Sequence, residues 1–227
     1  ADQRIDAVVF AGSVAIGVGG AVGVGVSGSG VWAENRIGVE VGAFIDTDPA
    51  AVAGPASLAV DKLILSATDS SSIHAVAGAA SLSAAVGGAA GVSVSVGVAL
   101  ARNTLTSEVE AYIRHADVLA DDVAIRATAA AGIDAITAAA SLAAGFGVAA
   151  VAVSGAGADA HNVILTRTAA FVEDSVLSSS GDVDITATDT ARIHAIVFTA
   201  SAAVAGGVAG VGASIGVALA RNEIGWR

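Results

Sequence analysis

The stretch Gly97-Val98-Ala99-Leu100-Ala101-Arg102-Asn103 returns letter for letter as Gly216-Val217-Ala218-Leu219-Ala220-Arg221-Asn222. A chain that repeats itself at a fixed spacing must fold so that like segments meet like surroundings, which points to an array of stacked units. Aligning on this stretch exposes four of them. Each opens with Ile, then Asp or His, then Ala: Ile5-Asp6-Ala7, Ile73-His74-Ala75, Ile133-Asp134-Ala135 and Ile193-His194-Ala195. Each then runs through Ala, Gly, Ser and Val to an asparagine, at Asn35, Asn103, Asn162 and Asn222. The array is therefore read as one domain over 1–227, with units 5–72, 73–132, 133–192 and a truncated 193–227. Units one and three resemble each other (VSGSG against VSGAG), as do units two and four, so two variants alternate. The first unit carries an insertion around Pro49 and Pro55, the two prolines of the chain, which reads as a surface loop. The C-terminus stops inside the pattern, so the chain reads as a piece of a longer array.

The second half of each unit alternates apolar and polar residues at period two. Val109-Glu110-Ala111-Tyr112-Ile113-Arg114 and Asp182-Val183-Asp184-Ile185-Thr186-Ala187-Thr188 are examples, and both are half-buried strand patterns. The first half contains the tracts 7–33, 75–101, 135–158 and 195–220, which hold no charged residue apart from His. Val92-Ser93-Val94-Ser95-Val96 reads as strand, while the Ala-rich 78–86 tolerates a helix. The expected fold is all-β, a β-solenoid (β-helix) of ~60-residue repeats. The alternative is a sheet with small-residue Ala/Gly helices packed on or inside it. At roughly 20 residues per coil, a unit makes about three coils, and about eleven coils make a rod on the order of 50 Å long. In such a stack each position must fit its own copy. Ala, Gly, Val and Ser do so without strain, and an Asn at a corner can ladder its amide along the axis.

Composition removes several function classes. Ten basic residues stand against 21 acidic ones, a net charge of -11, so the basic footprint of a nucleic-acid binder is missing. There is no cysteine, hence no disulfide framework and no thiolate metal site. The uncharged tracts are long enough to span a bilayer as helices. Interfacial aromatics and flanking Lys/Arg clusters are absent, however, so membrane insertion is not favoured.

Three elements carry a resemblance. They are Val109-Glu110-Ala111-Tyr112-Ile113, the turn and strand Gly181 to Thr188, and the Ala/Gly/Val tracts closing on Asn35, Asn103, Asn162 and Asn222. Together they resemble the repeat regions of giant bacterial surface proteins, the filamentous-haemagglutinin-like and leukotoxin-like adhesins. The resemblance implies an exported, extracellular or cell-surface, elongated β-helical stalk, and brings no catalytic motif with it. Expected partners are neighbouring repeats of the same protein, self-association through open strand edges, and host or cell-surface glycans.

No residue reads as catalytic or cofactor-binding. The four asparagines are assigned a structural role at the repeat. His74 and His194 share a position with Asp6 and Asp134 and read as a polar corner. His161 stands where Glu34, Arg102 and Arg221 stand and reads as wet surface, and His115 has no counterpart. The acid groups Asp46 and Asp48, Asp117, Asp121 and Asp122, and Asp182 and Asp184 raise calcium as the one cofactor to weigh. Neither the GGxGxD signature nor an EF-hand loop is present, so they read as solvated turn carboxylates. The function expected is therefore non-enzymatic: a stalk or adhesive surface, with a divalent-cation- or glycan-binding module as the alternative.

Overall fold

In the computed structural model, residues 1–47 and 56–226 are described; the Pro49 and Pro55 insertion lies outside them. The described chain is all-β, with no helix. Unit one supplies β1 (Arg4–Gly19), β2 (Val22–Asp46) and β3 (Ala56–Asp69). Unit two supplies β4 (Ser72–Gly87), β5 (Ala90–Arg114) and β6 (Ala116–Ala129). Unit three has β7 (Gly132–Phe146), β8 (Ala149–Glu173), β9 (Val176–Ser179) and β10 (Val183–Asp189); unit four has β11 (Arg192–Gly206) and β12 (Ala209–Trp226).

Every strand pairs in parallel with its counterpart in the next unit. This builds three stacked sheets: β1-β4-β7-β11, β2-β5-β8-β12, and β10-β6-β3 with β9 also beside β6. The arrangement is consistent with a β-solenoid. Register follows the repeat: Ile5 pairs with Ile73, Ile73 with Ile133, and Ile133 with Ile193. The expectation of three short coils per unit is thereby corrected, because the chain comes back beside itself only after a whole unit. Four layers at the ~4.8 Å strand spacing stand roughly 15–20 Å high, not 50 Å. A short coil needs a corner every few residues. The Ala/Gly/Val tracts carry no Pro and no Asn or Asp turn chemistry, so their strands run on for up to 25 residues.

The helical alternative is also overturned: 78–86 lies within β4. Alanine favours a helix by less than 1 kcal/mol per residue, and interior glycine takes away about as much. Pairing on both edges with tracts of the same composition outweighs so weak a preference.

The long strands of the second sheet form one layer. The first and third sheets cover its two ends. At one end the core is ordinary: Val109, Ile113, Val118, Val123 and Ile125 from the second and third sheets pack together, each 2% exposed or less. At the other end the first and second sheets meet across two-residue bends, Gly20-Ala21, Gly88-Ala89, Gly147-Val148 and Gly207-Val208; near the bends their interface is built mostly of Gly, Ala and Ser, and farther from them of the aliphatics Ile37, Ile73, Leu105, Ile133 and Ile164. Serine hydroxyls bond across it, Ser13 to Ser27 at 2.7 Å and Ser93 to Ser83 at 2.9 Å. A Cβ placed on Gly17 would sit 1.8 Å from the Val24 carbonyl oxygen, and one on Gly91 would sit 2.3 Å from that of Phe146. The layers approach this closely because both sides lack bulk; ordinary side chains hold face-packed sheets about 10 Å apart. Even one added methyl has nowhere to go. Gly91→Ala is expected to lower unfolding free energy by about 1–3 kcal/mol in urea titration, whereas Ala substitution at the exposed, uncrowded Gly38 leaves it within about 0.5 kcal/mol.

Candidate functional site

Stacking in register turns each position of the unit into a file of side chains running from unit to unit. The files are the candidate functional features, since among the described residues no three or more His, Asp or Glu converge to hold a metal.

The asparagine file runs inside. Asn103 and Asn162 are fully buried and Asn35 nearly so. The Asn35 Nδ2 donates to Asn103 Oδ1 at 2.8 Å, Asn103 to Asn162 at 2.7 Å, and Asn162 to Asn222 at 2.9 Å. The amides of Asn103 and Asn162 thus span the gaps between units with donor and acceptor both used. The file stands in the middle of the long strands, facing inward, and not at a corner. It passes beside the aliphatic cluster of Ile37, Ile73, Leu105, Ile133 and Ile164. A second buried polar group joins the sheets: Asp69 Oδ1 accepts from Ser71 Oγ at 2.6 Å and Oδ2 from Ser107 Oγ at 2.5 Å, with Asp69 0% exposed. Sequence reasoning missed it, although the repeat carries a signal: the equivalent residue of unit two is Ala129, but that of unit three is again an aspartate, Asp189.

Outside, the second sheet carries an aromatic file. Phe44, Tyr112 and Phe171 stack with ring centroids 5.1 and 5.0 Å apart and planes within 7°. The Arg114 guanidinium lies 5.0 Å from the Tyr112 ring centre and 5.6 Å from that of Phe171. The sequence aligned these three aromatics but drew no platform from them. Arg114 belongs to a file of alternating charge, Asp46-Arg114-Glu173. It donates to Glu173 at 3.0 Å and lies 3.7 Å from Asp46. The hydrogen bond to Glu173 raises its pKa above the usual guanidinium value.

The His/Asp position alternates likewise. His74 Nδ1 is 3.3 Å from Asp134, and His194 Nδ1 is 3.7 Å from the same carboxylate. Asp6 is bound by Arg4 at 2.8 Å, and that hydrogen bond holds its carboxyl below the ordinary range. His161 shares its file with Arg102 and Arg221. His115, with no role in the sequence, is the whole bend between β5 and β6. Its φ of 53° is a left-handed conformation that His tolerates better than most non-glycine residues. Its ring lies 3.2 Å from Asp46 and 3.8 Å from Asp174.

The proposed calcium groups are largely engaged in bonds of their own. Asp121 accepts from Ser180 at 2.7 Å and Asp122 from the Asp182 amide at 3.2 Å. Asp184 accepts from Thr186 and Arg126, and these bonds, Thr186 first, lower its pKa. Asp48 lies outside the described residues.

Breaking the asparagine file at its centre is expected to be costly. Asn103→Ala leaves the Asn35 donor and the Asn162 acceptor unmet in the interior, a loss of about 2–4 kcal/mol by chemical denaturation. Asn222→Ala, at the exposed end, costs under about 1 kcal/mol.

No family model matches the chain, and no curated protein or solved structure matches it.

Proposed function

We propose that the units close into a β-solenoid and form a repeat segment of a large extracellular bacterial surface protein, acting as a stalk or adhesive surface and not as an enzyme. The observation that supports this reading is the unbroken register of unit on unit. Ile, Asn, Ser and the alternating charges all fall beside their own counterparts, and no unit departs from the pattern to build a cleft among the described residues. Stability in such an array is a sum of unit terms and nearest-neighbour terms, so it grows with length without any bound group. The edges left open at the first and last units suit neighbouring repeats of the same protein.

The test is location together with loss. Antibodies against this segment are expected to label intact cells of the encoding bacterium, and deleting the units from the parent protein to reduce attachment to surfaces. Labelling that needs permeabilised cells would sink the reading.

A glycan-binding reading has one specific support, the aromatic file. Phe44 is 56% exposed and its ring is stacked parallel to those of Tyr112 and Phe171, so the file presents a continuous aromatic surface beside the Arg114 cation. Under this reading Tyr112→Ala lowers affinity for a bound polysaccharide by about tenfold in calorimetric titration, the equivalent of one lost stacking contact. No heat with any of a panel of neutral and acidic polysaccharides would remove it.

A further inference from the structure

The end of the molecule nearest the two-residue bends has its polarity reversed. Its interior holds the Ser13–Ser27 and Ser83–Ser93 hydroxyl pairs, while hydrocarbon faces outward on both layers. On the first sheet, Val14 is 68% exposed, and Val8, Phe10 and Ile16 are equally open, with Leu82, Leu142 and Val204 beside them in the neighbouring units. On the second sheet, Val24, Val26, Val211, Ile215 and Val217 are exposed in the same way. Along the first sheet a groove of about 420 Å³ crosses the units over the small residues Gly12, Ala80, Ala140 and Ala200. Isolated exposed aliphatics need no explanation, but a contiguous patch on two opposite faces does.

We propose that this end of the stack inserts edge-on into a lipid bilayer, with acyl chains covering both faces at once. Four observations select lipid over a second copy of the chain. First, a copy laid on one face leaves the other bare, whereas hydrocarbon wets both. Second, the apolar zone ends at the same height on the two layers. Asp6 and Glu34 are equidistant in sequence from Gly20, and His74 and Arg102 are equidistant from Gly88. In unit three Asp159 stands one outward position nearer the bend. About 12 residues separate bend from boundary, roughly 40 Å at ~3.3 Å per residue, against a hydrocarbon core of about 30 Å. Third, Trp32 lies at that boundary, 57% exposed, with Arg102 6.0 Å from its ring, the place an interfacial aromatic occupies. Fourth, between units the bend backbone is satisfied, as hydrocarbon requires: the Ala89 amide donates to Ala21 O at 2.8 Å, Ala149 to Ala89 O at 2.9 Å and Ala209 to Val148 O at 2.9 Å; the outer edges of β1, β2, β11 and β12 need pairing with a further copy of the unit. The lack of interfacial aromatics at both ends of each tract counts against spanning helices; as strands, the tracts need them only at the one boundary, where Trp32 and Arg102 stand. The proposal does not depend on the parent protein being an adhesin.

The experiment uses the full chain and phosphatidylcholine vesicles. The protein is expected to float with the vesicles in a density gradient and to stay bound at high salt, because no anionic headgroup is needed. Leu82→Lys and Val26→Lys, one on each face at mid-depth, should each weaken partitioning by at least about thirtyfold. Thr106→Lys, on the charged part of the second sheet, should leave it unchanged. Trp226→Phe leaves Trp32 as the sole tryptophan. Its emission should shift to the blue on binding and be quenched more by a headgroup-level nitroxide than by one at the chain terminus. That readout leaves both apolar faces intact, so it stands even if a lysine variant misfolds. Protein that stays in the aqueous phase with unshifted Trp32 overturns the proposal. A discrete dimer by sedimentation, indifferent to vesicles and dissociated by Leu82→Lys, overturns it in favour of a second copy.

Discussion

Parallel pairing at an offset of one whole unit is the constraint on which everything else rests. Once β1 lies beside β4 in register, every residue of a unit has its own counterpart as nearest neighbour along the stack. Side chains that repel themselves are then disfavoured, although Glu40 does lie beside Glu108, and those that satisfy themselves accumulate. Asparagine does so because its amide donates at one end and accepts at the other. Aromatic rings do so by stacking, as Phe44, Tyr112 and Phe171 show. A lone carboxylate does not, and this is why acids at stacked positions alternate with His or Arg, in Asp6-His74-Asp134-His194 and Asp46-Arg114-Glu173.

The two ends of the molecule solve the packing problem differently. Between the second and third sheets, branched aliphatics fill a conventional core and charges face out. Near the bends, between the first and second sheets, glycine and alanine bring two backbones close together, and serine hydroxyls such as those of Ser83 and Ser93 bond to each other, while those of Ser29 and Thr137 are buried without a partner. The second arrangement buries little hydrocarbon, so its cohesion comes from backbone pairing and close contact, with the apolar mass left on the outside. One continuous strand such as β5 takes part in both, which ties the thin end to the thick one without a hinge.

The all-β class, the units and the residues facing one another across units were legible, because the repeat itself encodes register. Strand identity in Val109–Arg114 followed from alternation. The length of a turn of chain was not legible, since the tracts contain little turn chemistry; the pair Gly87-Gly88 fits close packing or a tight corner equally, and only the structure shows that the chain bends there. Likewise the alternation of Val and Ser in 92–96 announces a strand but not which face turns inward. Here the serines do, against the ordinary expectation. His115 and Asp69 were harder to read because their counterparts differ in residue type: His115 aligns with Asp174, which shares its left-handed backbone at φ 45°, and Asp69 with Ala129 and Asp189.

The alternating charge files bear on how such a gene can change. Repeated units can be added or removed one or several at a time. Loss of unit two alone would bring Asp6 beside Asp134 and Asp46 beside Glu173, like charges held in register. Loss of units two and three together would set Asp6 beside His194 and restore the alternation. In these two charge files, removal of units in pairs therefore preserves the complementarity that removal of one destroys.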